Sequence, residues 1–188
     1  MADQYKGTNI VHIRTHLRDV GQAQEELFRS KLNPDDLLIY KQAMAVIWYP
    51  MDAVVRIFTE AVKVLYPQDK KPFHALGYSQ AMDNLNGIYR VILRVVTPEF
   101  AISQSARLWN TYFDSGETSI VSKPTEIPGE QNVTFIVKKY PQLPMPFLDI
   151  VEGFIHGVVE FTHAQFVSSK VESYNPQEWR WNMTYKKK

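Results

Sequence analysis

The spacing of apolar positions changes character near Gly116. Before it, apolar residues recur every three or four positions. After it, strand-like alternation dominates. The first spacing lines one face of a helix and the second lines one face of a strand. Alternation is cleanest at the end of the chain. From Glu178 to Tyr185, Trp179, Trp181, Met183 and Tyr185 fall on one side, and Arg180, Asn182 and Thr184 on the other. Two Trp and a Tyr on one face need a thick apolar cover, which the upstream helices can supply.

Within the helical block, Ile10, Ile13, Leu17 and Val20 predict a helix from about Thr8 to Gly21, with Gly21 as its stop. A short helix is expected from Gln22 to Lys31. Asn33-Pro34-Asp35-Asp36 reads as a helix start: Asn33 caps, Pro34 opens the first turn, and two acids face the positive dipole end. This helix is expected to carry Leu37, Leu38, Met44, Ile47 and Trp48 and to end before Pro50. Pro50 opens the next, whose stripe runs from Met51 through Val54, Phe58 and Val62 to Leu65. Tyr66 to Pro72 is a loop. From Leu76 to Val96 the three- and four-residue steps are the strongest in the chain, through Tyr78, Ala81, Leu85, Ile88, Tyr89, Ile92 and Leu93. Thr97-Pro98-Glu99 then starts a helix carrying Leu108, Trp109, Tyr112 and Phe113, which closes at Ser115-Gly116.

Beyond Gly116, Thr118 to Lys123 and Asn132 to Tyr140 read as strands, joined by a loop too long for a tight hairpin. Pro141, Pro144 and Pro146 force a connection. Phe147, Ile150, Val151, Phe154, Ile155, Val158 and Val159 then form a helical stripe. Strands at about His163 to Ser173 and Glu178 to Lys186 finish the chain, joined by Tyr174 to Gln177. Segregated helices and strands imply an α+β fold: an N-terminal helical block packed on a C-terminal four-stranded antiparallel sheet of order β-β-α-β-β. The expectation is one domain over 1-188, with a helical part of about 8-116 and a ββαββ part of about 117-186.

Composition narrows function mainly by exclusion. The 188 residues are 45% hydrophobic and 22% charged, as in a globular chain. A net charge of +1 argues for neither nucleic acid nor a membrane surface as partner. The absence of Cys removes disulfides, thiol nucleophiles and thiolate metal sites, and fits a cytoplasmic protein. No apolar run is long enough to span a membrane, and the polar start shows no secretory signal. Gly-rich phosphate loops, Gly-x-Ser-x-Gly and His-Glu-x-x-His are absent, so no enzyme is expected.

Several constellations remain. His12, His16 and Asp19 share one stripe of the first helix and could hold a metal. The neighbouring Arg14 and Arg18 oppose a cation, and no metal is assigned. Glu152, His156 and Glu160 form another stripe, read as a solvated face rather than an acid-base pair. On the same helix, Gly153 and Gly157 cost about 1 kcal/mol each relative to Ala. Close approach by the sheet, or by the same helix of a second copy, would offset this and makes the pair a candidate homodimer interface. Arg90, Arg94 and Arg107 could converge on an anionic group, or be paired surface charges. Tyr78, Tyr89, Trp109, Trp179 and Trp181 could line an apolar pocket with a few polar tips, or be core.

Particular segments carry a resemblance. They are Leu76-Gly77-Tyr78, Thr97-Pro98-Glu99-Phe100, the run from Leu108 to Glu117, the run from Val151 to Gly157, and the Trp-containing terminal strand. Over nearly its whole length the chain resembles an uncharacterised bacterial family best known from myxobacteria. More distantly it is similar to the superfamily of 4-vinyl-reductase regulatory domains, haem nitric-oxide-binding domains and Bet-type vesicle-tethering subunits. The resemblance implies a cavity between helices and sheet, used for haem, small aromatics or an acyl chain, or else closed in a dimer. The haem members carry a Tyr-x-Ser-x-Arg signature. The nearest text here, Ser103-Gln104-Ser105-Ala106-Arg107, lacks the Tyr, which counts against haem, and no cofactor is assigned. The functional expectation is a non-enzymatic sensory domain binding a small apolar or anionic molecule. The alternative is a homo-oligomeric interaction module with a closed core.

Overall fold

Residues 3–85, 96–175 and 178–186 are described by a computed structural model of the chain, apart from the side chains of 105–107, 124 and 172–175. Among the described residues, seven helices and six strands follow in order: β1 (Gln4–Lys6), α1 (Thr8–Val20), α2 (Gln22–Arg29), α3 (Pro34–Gln42), β2 (Trp48–Pro50), α4 (Met51–Leu65), α5 (Pro72–Asn84), α6 (Pro98–Tyr112), β3 (Glu117–Pro124), β4 (Glu130–Lys138), α7 (Met145–Phe161), β5 (Gln165–Asn175) and β6 (Glu178–Lys186). The α+β arrangement expected from the residue pattern is present. β3, β4, β6 and β5 lie side by side in that order as one antiparallel sheet, with α7 joining its two hairpins.

The caps sit where the side chains can make them. Asn33 Oδ1 accepts from Asp36 N at 2.8 Å, and Thr97 Oγ1 from Phe100 N at 3.3 Å. Gly21 ends α1 at φ 124°, a value strained for any residue with a Cβ. The alternation in β6 is reproduced without a break. Trp179, Trp181, Met183 and Tyr185 are buried, and in register Trp179 pairs with Val137, Trp181 with Phe135 and Met183 with Val133. Trp181 packs beneath α7, where its Nε1 donates to Leu148 O at 2.9 Å. Each buried indole contributes about 4–6 kcal/mol of apolar transfer.

Two expectations are corrected at the N-terminal end. The helix expected to run through Trp48 stops at Gln42, because the Arg14 guanidinium takes the carbonyls of Tyr40, Lys41 and Ala43 at 3.2, 2.9 and 3.1 Å. With its last carbonyls satisfied from outside, the helix gains little by continuing. Met44 and Ile47 are therefore exposed, and Trp48–Pro50 becomes β2. Its partner is β1, formed by residues whose pattern gave no strand signal. Tyr5 pairs with Tyr49, and its own ring is buried edge-on against Phe58, Phe113 and Phe147.

The helix expected from Leu76 to Val96 is seen as α5 up to Asn84; residues 86–95, with Tyr89, Arg90 and Arg94, lie outside the described residues. α5 lies directly on α7 in the most extensive helix-to-helix contact among the described residues. Three glycines permit it. A Cβ at Gly77 would stand 1.9 Å from Ile150 O, one at Gly153 2.0 Å from His74 O, and one at Gly157 2.7 Å from the Ala81 Cβ. Gly153 and Gly157 therefore do mark a close approach, but to α5 of the same chain. The face expected to meet the sheet or a second copy is already filled.

Candidate functional site

Where the helical block meets the sheet, a cavity of about 50 Å3 remains. Tyr5 of β1, Asn9 of α1 and Gln80 of α5 line one part of it. Leu108, Trp109, Tyr112 and Phe113 of α6, Phe135 of β4, and Ile150, Val151, Phe154 and Ile155 of α7 complete the wall. Trp109 and Phe113 stack with ring centroids 3.9 Å apart and planes 11° from parallel. The wall is mostly apolar, and its polar groups include the Tyr5 hydroxyl and the side-chain amides of Asn9 and Gln80. Asn9 Nδ2 donates to the Tyr5 hydroxyl, whose pKa burial pushes well above the usual phenol range. Asn9 Oδ1 and Gln80 Nε2 are buried and have no hydrogen-bond partner among the described residues.

Of the aromatic residues singled out from the sequence, Trp109 lines this cavity, with its Nε1 donating to Ser115 O at 2.7 Å. Trp179 and Trp181 do not. Their N–H groups are satisfied by Tyr140 O and Leu148 O, both at 2.9 Å, and both rings are buried. Tyr78 sits outside the cavity, donating to Glu160 Oε2 at 2.6 Å. Burial and this carboxylate raise its pKa to about 12. The expected convergence of Arg90, Arg94 and Arg107 involves two residues outside the described set and one whose side chain is. Tyr5, Asn9, Gln80, Phe135 and Phe154 escaped sequence reasoning. Asn9 and Gln80 are polar residues within helical stripes, and only burial distinguishes them from solvent-facing ones.

Two titratable clusters lie elsewhere. Between α1 and α5, His12 Nδ1 and His16 Nε2 approach Asp83 Oδ2 at 3.1 and 2.6 Å. Burial, with His16 beside it, pushes His12 down to about 4 against the pull of Asp83, so its imidazole is neutral. Asp19, the third member expected from spacing, is exposed and takes no part. The second cluster lies on α5, α7 and β5. His156 stacks on Phe166 at 4.0 Å, its Nε2 lies 3.2 Å from Glu160 Oε1, and His74 stands 5.4 Å away ring to ring. Glu152, expected on a solvated face, is buried. It accepts from the Ser169 hydroxyl and, at 3.4 Å, from Lys71 Nζ, because α7 is covered by α5 as well as by β5.

No protein-family model matches the chain, and no curated protein matches it in sequence. Solved structures do match in fold. The Fe(II) unliganded H-NOX protein from K. algicida superposes with a TM-score of 0.66 at 9% identity, covering 97% of each chain. A mutant of T. tengcongensis H-NOX gives 0.61 at 14% identity over 96% of each. An oxygen-binding H-NOX domain related to soluble guanylate cyclases, solved as its oxygen complex, gives 0.58 at 13% identity over 96% of this chain and 91% of that one. The distant likeness to haem nitric-oxide-binding domains is thereby shown at the level of fold. No family model supports the resemblance to the uncharacterised bacterial family. Among the described residues, no helix is long and apolar enough to cross a membrane.

Proposed function

We propose that this chain is a non-enzymatic sensory domain that uses the H-NOX fold without haem and receives a small neutral molecule in the cavity between helices and sheet. Haem is the first guest to weigh, since one solved neighbour probes the function of haem distortion in the H-NOX family. The lining residues do not fit it. A cavity of about 50 Å3 is far below the ~300–1,000 Å3 of pockets for molecules of drug or cofactor size. Stacked Trp109 and Phe113 occupy its wall, and no His, Cys or Met among the described residues lines it to take iron.

The observation that carries the reading is the pair of unpartnered polar atoms carried by Asn9 and Gln80, two residues of a mostly apolar lining. Leaving a buried donor or acceptor unpaired costs about 1–3 kcal/mol. A guest that donates to Asn9 Oδ1 and accepts from Gln80 Nε2 recovers that loss. A water claims about 30 Å3, so the cavity suits a guest of a few heavy atoms, such as a short primary amide or alcohol. Its lining comes from the sheet and from α1, α5, α6 and α7, so occupancy bears on how these helices seat on the sheet. That supports a sensory role in which a protein partner or second copy reads the change.

The test is a thermal-shift titration with acetamide, ethanol and their apolar isosteres, beside a hemin titration followed by absorbance. Polar probes should raise the midpoint in a saturable way, and Gln80→Leu should abolish the rise. A flat response to every probe would leave the cavity to water and favour the closed-core alternative. Stoichiometric hemin uptake with a sharp Soret band would overturn the exclusion of haem.

A further inference from the structure

Residues 67 and 71 positions apart bring two imidazoles and a carboxylate to one point. On α1, His12 and His16 stand one turn apart with ring centroids 4.2 Å from each other. On α5, Asp83 turns a single oxygen, Oδ2, to His12 Nδ1 and His16 Nε2 at 3.1 and 2.6 Å. One ligand-capable atom from each residue lies within 4.8 Å of the other two. We propose that His12, His16 and Asp83 form a binding site for one divalent transition-metal ion of the zinc type.

The donor set decides the class of ion. Two imidazole nitrogens and one carboxylate oxygen suit Zn2+ and its first-row neighbours, whereas Mg2+ and Ca2+ prefer all-oxygen sites. Metal–ligand bonds of about 2.0–2.2 Å hold neighbouring donors roughly 3–3.5 Å apart, so the carboxylate needs to retreat by less than about 1 Å. It has room to do so. The Asp83 side chain is 47% exposed and that of His16 30%, while His12, at 7%, forms a fixed floor. The exposed side leaves space for water to complete the coordination. The other His12 nitrogen, Nε2, faces Ser79 Oγ at 3.5 Å, where a ligating imidazole usually finds an outer partner that orients it.

Sequence spacing argued against a cation here because Arg14 and Arg18 flank the pair, and the tertiary structure removes that objection. Arg14, the feared competitor, is committed to three carbonyls at the end of α3. Arg18 lines a groove with Glu25 and Glu26 of α2. The third ligand, expected as Asp19, arrives instead from α5 as Asp83. An ion here would clamp α1 to the C-terminal end of α5, three residues from each of the two unpartnered cavity residues, Asn9 and Gln80. The proposal stands whether or not that cavity takes a guest.

The decisive experiment uses the untagged chain, stripped with chelator at neutral pH. It is titrated with Co2+, read by its visible d–d bands, and with Zn2+, read by calorimetry. One equivalent should bind, Mg2+ should not compete, and the thermal midpoint should rise with Zn2+. Asp83→Asn and His16→Gln alter solvent-facing ligands and should weaken Zn2+ by at least about tenfold, with circular dichroism confirming the fold. Asp19→Asn should leave the affinity unchanged. An absence of Co2+ bands, or equal affinity in Asp83→Asn, would reduce the cluster to an ordinary histidine–aspartate hydrogen bond and overturn the proposal.

Discussion

Replacing Gly153 with Ala sets two physical effects against each other, and the sign of the result reports which wins. Gly153 lies inside α7, where Ala is preferred by about 1 kcal/mol on helix propensity. On that ground alone the variant should be more stable. The added methyl would, however, stand 2.0 Å from His74 O, 2.8 Å from His74 C and 2.9 Å from Tyr78 N. All three are backbone atoms of α5, so no rotamer change relieves the clash. The helices would have to separate by roughly 1.4 Å to reach ordinary contact. Overpacking a core ordinarily costs about 1–3 kcal/mol, and a rigid backbone partner places this case at the upper end. The net expectation is a loss of about 2 kcal/mol. For a chain of this length that is a drop of about 4–8 °C in midpoint. Urea unfolding followed by Trp fluorescence and circular dichroism measures it, with the m-value checking that the denatured state is unchanged. A Gly153→Ala variant as stable as the parent, or more so, would refute the close approach of α5 to α7.

The Asp36 side chain is buried at the start of α3, held by Arg56 Nε and Nη2 at 2.7 and 2.9 Å and by Asn33 Nδ2 at 2.7 Å. Arg56→Met should cost about 2 kcal/mol in urea unfolding. That is below the ~3–5 kcal/mol of a fully buried pair, because the guanidinium is half exposed. A third prediction concerns acid. Burial depresses the His74 pKa below its ordinary 6.5, with His156 and Lys71 adding to the shift and Glu152 and Asp149 opposing it. Below pH 6.5 the unfolded chain therefore binds the proton more readily. The stability His74 contributes should fall away as pH drops from about 6.5 through the lower folded-state value. The difference between urea midpoints of the parent and His74→Leu across that window isolates the effect, and a difference independent of pH would contradict it.

The residues differ in how much of their role could be read in advance. β6 was legible to the residue because its alternation is local and burial of one face enforces it. The caps at Asn33 and Thr97 were legible because a side chain three positions away supplies the bond. β1 and β2 were not, since three-residue strands have no period to read and depend on each other across 44 positions. The early end of α3 was hidden for the same reason: Arg14 sets it from another helix. Gly153 and Gly157 signalled a close approach without naming the partner. The cavity residues Asn9 and Gln80 looked like any polar position on a helix.

What the amino-acid order determined by itself was the class of structure: helices first, then two hairpins around a helix, with the aromatic face of β6 turned inward. These features follow from periodicity and neighbouring-residue chemistry, which act within a few positions along the chain. Tertiary packing decided which helix fills the glycine face of α7, and which polar atoms end buried without a partner. It also decided which carboxylate meets His12 and His16. Each of those outcomes depends on distances between residues remote in sequence, and local periodicity carries no information about such distances.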